Sequence, residues 1–263
     1  MILYKGKIKP HRKLLSVAKL IILALIMLGI VSCVKLQSVN PIVTTAFIPD
    51  EIPTDTYILP CKNKDNIIVW LDAGHGGFDP GTYVMLDGIR VYEKDIVLDI
   101  VLRTYELFMQ SDSGVTVFLT RADDRHISLH DRIKLWNNTD YMTTKADLVV
   151  SVHADFYEGP TAQSVSGIQV NYCRNKVTNT GRIDITDSQF AQIMQNNLVS
   201  ATGARDRLVR GDRGLFVPAN STMPAVLIEV GFMSNSNELA KLLTEEYRIK
   251  IAKAIYAGII ECL

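Results

Sequence analysis

The sequence predicts an α/β fold: one layered domain, a largely parallel twisted sheet of about six strands, and helices on both faces. Two observations carry this. From Asn66 onward, short apolar runs of strand length alternate with longer amphipathic runs. A histidine stands at or just past the carboxyl end of two of those runs, and active sites in such folds gather outside the carboxyl ends of strands.

Taken in order, the strand candidates are Ile67–Leu71, Val115–Thr120, Leu148–Val152, Gly167–Cys173, Gly214–Val217 and Ala225–Val230. Each is a buried-type run bounded by turn residues. The helix candidates are Glu93–Gln110, Ser128–Tyr141, Asp187–Ala201 and Asn237–Cys262. In the first of these, Val97, Ile100, Val101 and Phe108 mark an apolar stripe, while Asp95, Asp99, Arg103 and Glu106 mark the wet face.

Ahead of this body the composition changes. Lys5, Lys7, Lys9, Arg12, Lys13 and Lys19 precede an apolar run from Leu20 to Val31, too short for the ~20 residues a spanning helix needs. The run ends in Ile30-Val31-Ser32-Cys33, which resembles a bacterial lipobox. Residues 1–32 therefore read as a lipoprotein signal peptide, and Cys33 as the lipidated first residue of the mature chain. A plain membrane-anchor helix with a chance cysteine is the competing reading. Residues 33–65, rich in Pro, Thr and polar side chains, read as a tether, and residues 66–263 as the catalytic body.

Losing six of the 28 basic residues with the leader leaves 22 against 28 acidic ones, a net of −6. That balance argues against nucleic acid as a partner. Three cysteines remain beyond Cys33. A compartment outside the cytoplasm permits disulfides, and Cys61 and Cys262 flank the folded body, so they form either a bridge or two free thiols.

The chemistry centres on four positions. His75 follows the apolar run Ile67–Leu71 within Asp72-Ala73-Gly74-His75-Gly76-Gly77, where small residues leave room for a ligand. His153 ends the run Asp147–Val152. Glu93 lies four residues before Val97, on the apolar side of its helix. A carboxylate there needs a partner, either a metal ion or a backbone amide at the helix start. Two histidines and one carboxylate are the ligand set of a catalytic zinc with one open position. Glu229 interrupts the apolar run Ala225–Val230, where burial should raise its pKa and suit it to exchange a proton. A core ion pair is the alternative role. His126 and His130 are four apart but lack the His-Glu-x-x-His order, and read as exposed or capping residues. Asp79, in Phe78-Asp79-Pro80-Gly81, reads as a turn former.

These segments together resemble the zinc-dependent N-acetylmuramoyl-L-alanine amidases of the amidase-3 type, bacterial cell-wall hydrolases. The likeness rests on Asp72–Gly77, the isolated Glu93, Ser151-Val152-His153-Ala154-Asp155 and Glu229-Val230-Gly231-Phe232-Met233-Ser234-Asn235. Leu119-Thr120-Arg121-Ala122-Asp123-Asp124 and Leu129 with Arg132 extend it. The resemblance implies one Zn2+ held by His75, Glu93 and His153, water at the fourth position, and Glu229 as the catalytic carboxylate. It implies peptidoglycan as substrate, cut at the amide joining N-acetylmuramic acid to L-alanine. It also implies that the Asp79 turn borders the site. Asp155 departs from the Asn usual after His-Ala in the related enzymes. The segment between Cys173 and Gln189 is too short for the inhibitory helical plug some relatives carry. The expectation is thus a monomer in the cell envelope, outside the cytoplasm, touching a membrane only through its lipid. A zinc peptidase acting on wall stem peptides and a non-enzymatic wall-binding lipoprotein are the competing functions.

Overall fold

The computed structural model describes residues 67–137, 145–174, 176, 182–211 and 214–263. The segments predicted as signal peptide and tether, with Cys33 and Cys61, lie outside the described residues. No helix among the described residues is long and apolar enough to cross a membrane.

The first strand, β1 (Ile67–Ala73), is flanked by β4 (Val115–Leu119) and β5 (Leu148–Asp155), both parallel to it. Beyond β5 comes β8 (Ala225–Phe232), again parallel. Two strands finish this edge in the opposite direction: β6 (Gln169–Tyr172), antiparallel to β8, and the two-residue β7 (Arg210–Gly211). The sheet order is β4-β1-β5-β8-β6-β7. The predicted α/β class and the six-strand, largely parallel sheet are both found.

Period-2 alternation splits the strands between two cores. Val69, Leu71 and Ala73 face the larger one, with Val150, Val152, Ile228 and Val230. It is roofed by α1 (Glu93–Met109), α3 (Asp187–Thr202) and α6 (Glu245–Glu261). The stripe read from the sequence of α1 is the buried face, and Phe108 packs on Tyr256 of α6 with ring centroids 4.6 Å apart. On the opposite side, Ile68 and Trp70 meet Phe118, Trp136 and Val217. That smaller core is covered by α2 (Leu129–Asn137) and α4 (Phe216–Asn220).

Three elements depart from expectation. Gly214–Val217 is not a strand: Phe216–Asn220 forms α4. Pro218 lacks the N–H that a sheet ladder needs but is tolerated in the first turn of a helix. The predicted helix over Asn237–Cys262 is two helices, α5 (Ser236–Leu242) and α6. Asn235 caps the first, and Thr244 accepts from Tyr247 N to start the second. A hairpin of β2 (Tyr83–Leu86) and β3 (Ile89–Tyr92), absent from the strand candidates, leads into α1. Its turn residues Asp87 and Gly88 have φ of 49° and 81°, the left-handed pair of a tight two-residue hairpin.

Candidate metal centre and catalytic carboxylate

β1 ends at Ala73, and the chain turns at once through His75, which holds a left-handed φ of 60°. A non-glycine residue in that region is strained, and such strain persists where the surroundings fix it. Here two buried arginines supply the fixing. Arg132 of α2 donates to Ala73 O at 2.8 Å and to His75 O at 2.6 Å. Arg121 donates to Ala73 O, to Gly74 O at 2.7 Å and to Lys94 O at 2.8 Å. Three consecutive carbonyls of the His75 loop are therefore held by guanidinium groups. Asp72 offsets one of these two charges, pairing with Arg132 and accepting from Thr120 Oγ1 at 2.7 Å and Ser151 Oγ at 2.6 Å. Burial alone would raise the Asp72 pKa, but Arg132 and the two hydroxyls outweigh it and hold the carboxyl below its usual range. Burial, and then the charge of Arg132 beside it, push the Arg121 pKa down to about 10.

The far side of the loop is tied as well. Asp124 accepts from Gly77 N at 2.8 Å and from Lys94 Nζ at 2.6 Å. Residues 119–124 thus act as a clamp on the loop. Asp79 forms the expected turn, accepting from Gly81 N at 3.1 Å. It also does more: its Oδ2 lies 3.0 Å from His75 Nδ1. An ionised carboxylate only accepts, so with a metal held on Nε2 the ring proton would sit on Nδ1 and be donated to Asp79.

That Nε2 faces Glu93, the first residue of α1, at 3.2 Å from Oε1. The same oxygen lies 3.1 Å from His153 Nδ1. One ligand atom from each of His75, Glu93 and His153 lies within 4.8 Å of the others. Zinc bonds of ~2 Å separate tetrahedral ligand atoms by a little over ~3 Å, so the donor set fits that ion in both chemistry and spacing. The two partners considered for Glu93 from sequence are not exclusive. Ala154 N donates to Oε1 and Thr82 N to Oε2, each at 3.0 Å, while the histidines crowd Oε1. Burial pushes its pKa up, but the His153 and His75 contacts overcome this, so the carboxyl stays ionised far into acid. For His75, burial lowers the pKa, and Glu93 and Asp79 more than reverse the effect.

Space matters as much as charge. A Cβ on Gly74 would lie 2.3 Å from His153 Cε1, so only glycine lets the second imidazole reach the centre. The two rings meet edge to face with centroids 4.9 Å apart.

Glu229 is the register partner of His153 across β5 and β8. Its Oε2 is buried and has no hydrogen-bond partner among the described residues, a cost that natural cores rarely carry without function. Burial, then the negative charges of Asp155 and Glu93, raise its pKa well above that of an ordinary carboxylate. Among the described residues, no Lys or Arg forms the core ion pair considered as its alternative role.

His126 and His130 stand apart from the centre. The first lies against Phe78 and the second against Phe216, with ring centroids 3.9 and 5.1 Å apart. Both are exposed, as expected. Cys173 and Cys262 form no disulfide among the described residues, and Cys262 Sγ donates to Gly258 O at 3.0 Å. The suggested partner of Cys262, Cys61, is outside the described residues.

A clustered metal-type ligand triad, next to a carboxylate with one buried oxygen unpartnered among the described residues and at the carboxyl ends of parallel strands, is an arrangement suited to hydrolysis. Residues 69–261 match the family model described as N-acetylmuramoyl-L-alanine amidase. The germination-specific N-acetylmuramoyl-L-alanine amidase of Bacillus subtilis is 29% identical over 216 residues, covering 77% of this chain and 81% of the relative. Among solved structures, an N-acetylmuramoyl-L-alanine amidase from Clostridium difficile 630 superposes with TM-score 0.64 at 32% identity, covering 75% of this chain and 96% of the other. The CwlD amidase of Clostridioides difficile, solved in complex with the GerS lipoprotein, gives TM-score 0.63 at 31% identity and covers 74% and 98%. The chain belongs to the N-acetylmuramoyl-L-alanine amidase family, amidase-3 type, and is an enzyme that hydrolyses an amide of peptidoglycan.

Proposed function

We propose that this enzyme is a zinc amidase in which His75, Glu93 and His153 hold the metal and Glu229 is the catalytic carboxylate. The single observation carrying this is the pairing of the compact triad with an adjacent carboxylate whose buried oxygen has no partner among the described residues. Bound zinc would polarise the scissile carbonyl and lower the pKa of the attacking water.

The chain's own residues do the rest. Glu229 takes the proton of the attacking water and then delivers it to the departing L-alanine amine. The raised Glu229 pKa suits this return, because a carboxylate that holds its proton more firmly serves as carrier between two steps. Asp79 orients the His75 ring, and Arg121 with Arg132 fixes the backbone from which it projects. The lactyl carboxylate is left on the glycan, and the stem peptide departs with a free amine.

Members of this family act on the cell wall outside the cytoplasm. We further propose that Cys33 carries a lipid, that residues 33–65 tether residues 66–263 to a membrane, and that the enzyme works as a monomer without an inhibitory plug. A Cys61–Cys262 bridge remains part of the same proposal for the envelope form. Metabolic labelling with palmitate tests the anchor: label lost in Cys33→Ala is expected, and label retained there contradicts it. Metal analysis of purified protein tests the centre. About one zinc per chain is expected, lost in His75→Ala, and unchanged zinc in that variant would count against the ligand set.

A further inference from the structure

Rows of side chains run across the sheet at the site. His153 on β5 pairs with Glu229 on β8, and Glu229 pairs with Gln169 on β6. Past β6, residues 205–207 extend the sheet: Ile168 N donates to Arg205 O at 3.0 Å and Arg207 N to Ile168 O at 3.1 Å. Arg207 therefore stands about two inter-strand spacings, ~10 Å, from Glu229.

The segment is built to hold that position. Leu208, the next residue, has a left-handed φ of 64°. Asp206 Oδ1 accepts from Leu208 N at 2.8 Å and from the fully buried Gln195 at 2.7 Å. Strain held by a buried network is a feature of functional segments. The guanidinium of Arg207 lies 4.6 Å over the ring of Phe232, three residues beyond Glu229, and gives one bond, Nη1 to Ser166 O at 3.3 Å. No carboxylate among the described residues pairs with it, and its Nε is buried without a partner. A charged donor in this condition is costly unless an acceptor arrives with the ligand.

Resting on the zinc-amidase reading, we propose that Arg207 binds a carboxylate of the stem peptide. The substrate's chemistry says which side carries it. N-acetylated sugars are uncharged, and the lactyl carboxyl is consumed in the scissile amide. The nearest anionic group is thus the α-carboxylate of the γ-linked glutamate, second in the stem. Two residues of extended chain span ~7 Å, which an arginine set ~10 Å from the catalytic carboxylate can meet. Its planar fork suits a carboxylate, and the Phe232 ring beneath keeps it in plane. Amidation of that carboxylate would remove the charge Arg207 reads, so the residue sets a preference for unamidated wall.

Binding of L-alanyl-γ-D-glutamate and of its α-amide to the purified protein, measured by calorimetry, tests this without requiring turnover. Wild type should bind the acid about ten- to a hundredfold tighter than the amide. Arg207→Ala should bind both equally, at the level of the amide, and Arg207→Lys should keep part of the preference. An undiminished preference for the acid in Arg207→Ala, or none in wild type, overturns the proposal. Should Arg207→Ala fail to fold, Arg207→Gln decides by the same comparison. Digestion of wall polymer is scored separately. Failure there removes the amidase reading, while the dipeptide preference still decides the role of Arg207.

Discussion

Glu93 and Glu229 are the same side chain in the same small region, and their surroundings drive them in opposite directions. Every oxygen of Glu93 has a partner: Thr82 N, Ala154 N and the two histidines. Glu229 keeps one buried oxygen with no partner among the described residues, and burial with the charges of Asp155 and Glu93 raises its pKa. One carboxyl is therefore locked in its ionised form and the other is pushed toward its neutral one. Two carboxylates whose environments separate their pKa values divide into ligand and proton carrier. Location in a cleft does not decide the role; the supply of donors does.

The sharpest way to break this contrast is Glu229→Gln. Losing the proton carrier should lower wall hydrolysis by about 10²–10⁴-fold in a turbidity assay. Zinc content should stay at the wild-type level, because Glu229 is no ligand. Substantial activity in that variant would erase the distinction between the two glutamates.

Next in size is the support beneath the ligand loop. Asp72→Asn leaves Arg132 buried without its charge partner, which should cost about 3–5 kcal/mol in urea unfolding at neutral pH. The pH dependence has a definite sign. The Asp72 pKa is depressed in the folded state, so its contribution is present above the unfolded value of about 3.9 and is lost as pH falls through the lower folded value. The variant's stability should therefore fall less steeply than wild type in that acid window. Parallel curves for the two proteins would show that Asp72 does not carry the effect.

Smaller still is Asp79→Ala. Freed from its carboxylate partner, His75 should bind zinc about 10–100-fold more weakly, as read by competition with a chelator. Unchanged affinity would remove Asp79 from the ligand side of the comparison. The mildest change is Asp155→Asn, which takes a negative charge away from Glu229. Its pKa should drop, its carboxylate form should persist to lower pH, and the acid limb of the kcat/KM profile should move toward acid. Movement toward alkali would contradict the assigned cause.

What the sequence made legible follows from what each residue can reveal alone. His75, His153 and Glu229 were legible because a polar side chain in an apolar run is costly and demands a reason. Glu93 was legible from its place on the apolar side of α1. The second contact of Asp79 was not, since it depends on a loop path set by Arg121 and Arg132 from elsewhere in the chain. The clamp role of residues 119–124 was hidden for the same reason: nothing local says which carbonyls an arginine will hold. Arg207 gave no sequence signal, because an unpartnered Nε is a property of packing. At Gly214–Val217 an apolar run too short to separate strand from helix was settled by Pro218. The reversed β6 and β7 edge reflects pairing partners, which strand-length runs do not encode.

The central claim is that this chain's hydrolytic centre opens the amide between N-acetylmuramic acid and L-alanine. Digesting defined muropeptides in ¹⁸O-water, with mass spectrometry of the products, tests it most directly. Hydrolysis at that amide puts ¹⁸O in the lactyl carboxylate of the sugar and leaves a stem peptide beginning with an unlabelled L-alanine amine. Label in a carboxyl within the stem, with the lactyl amide intact, would contradict it and identify a peptidase instead.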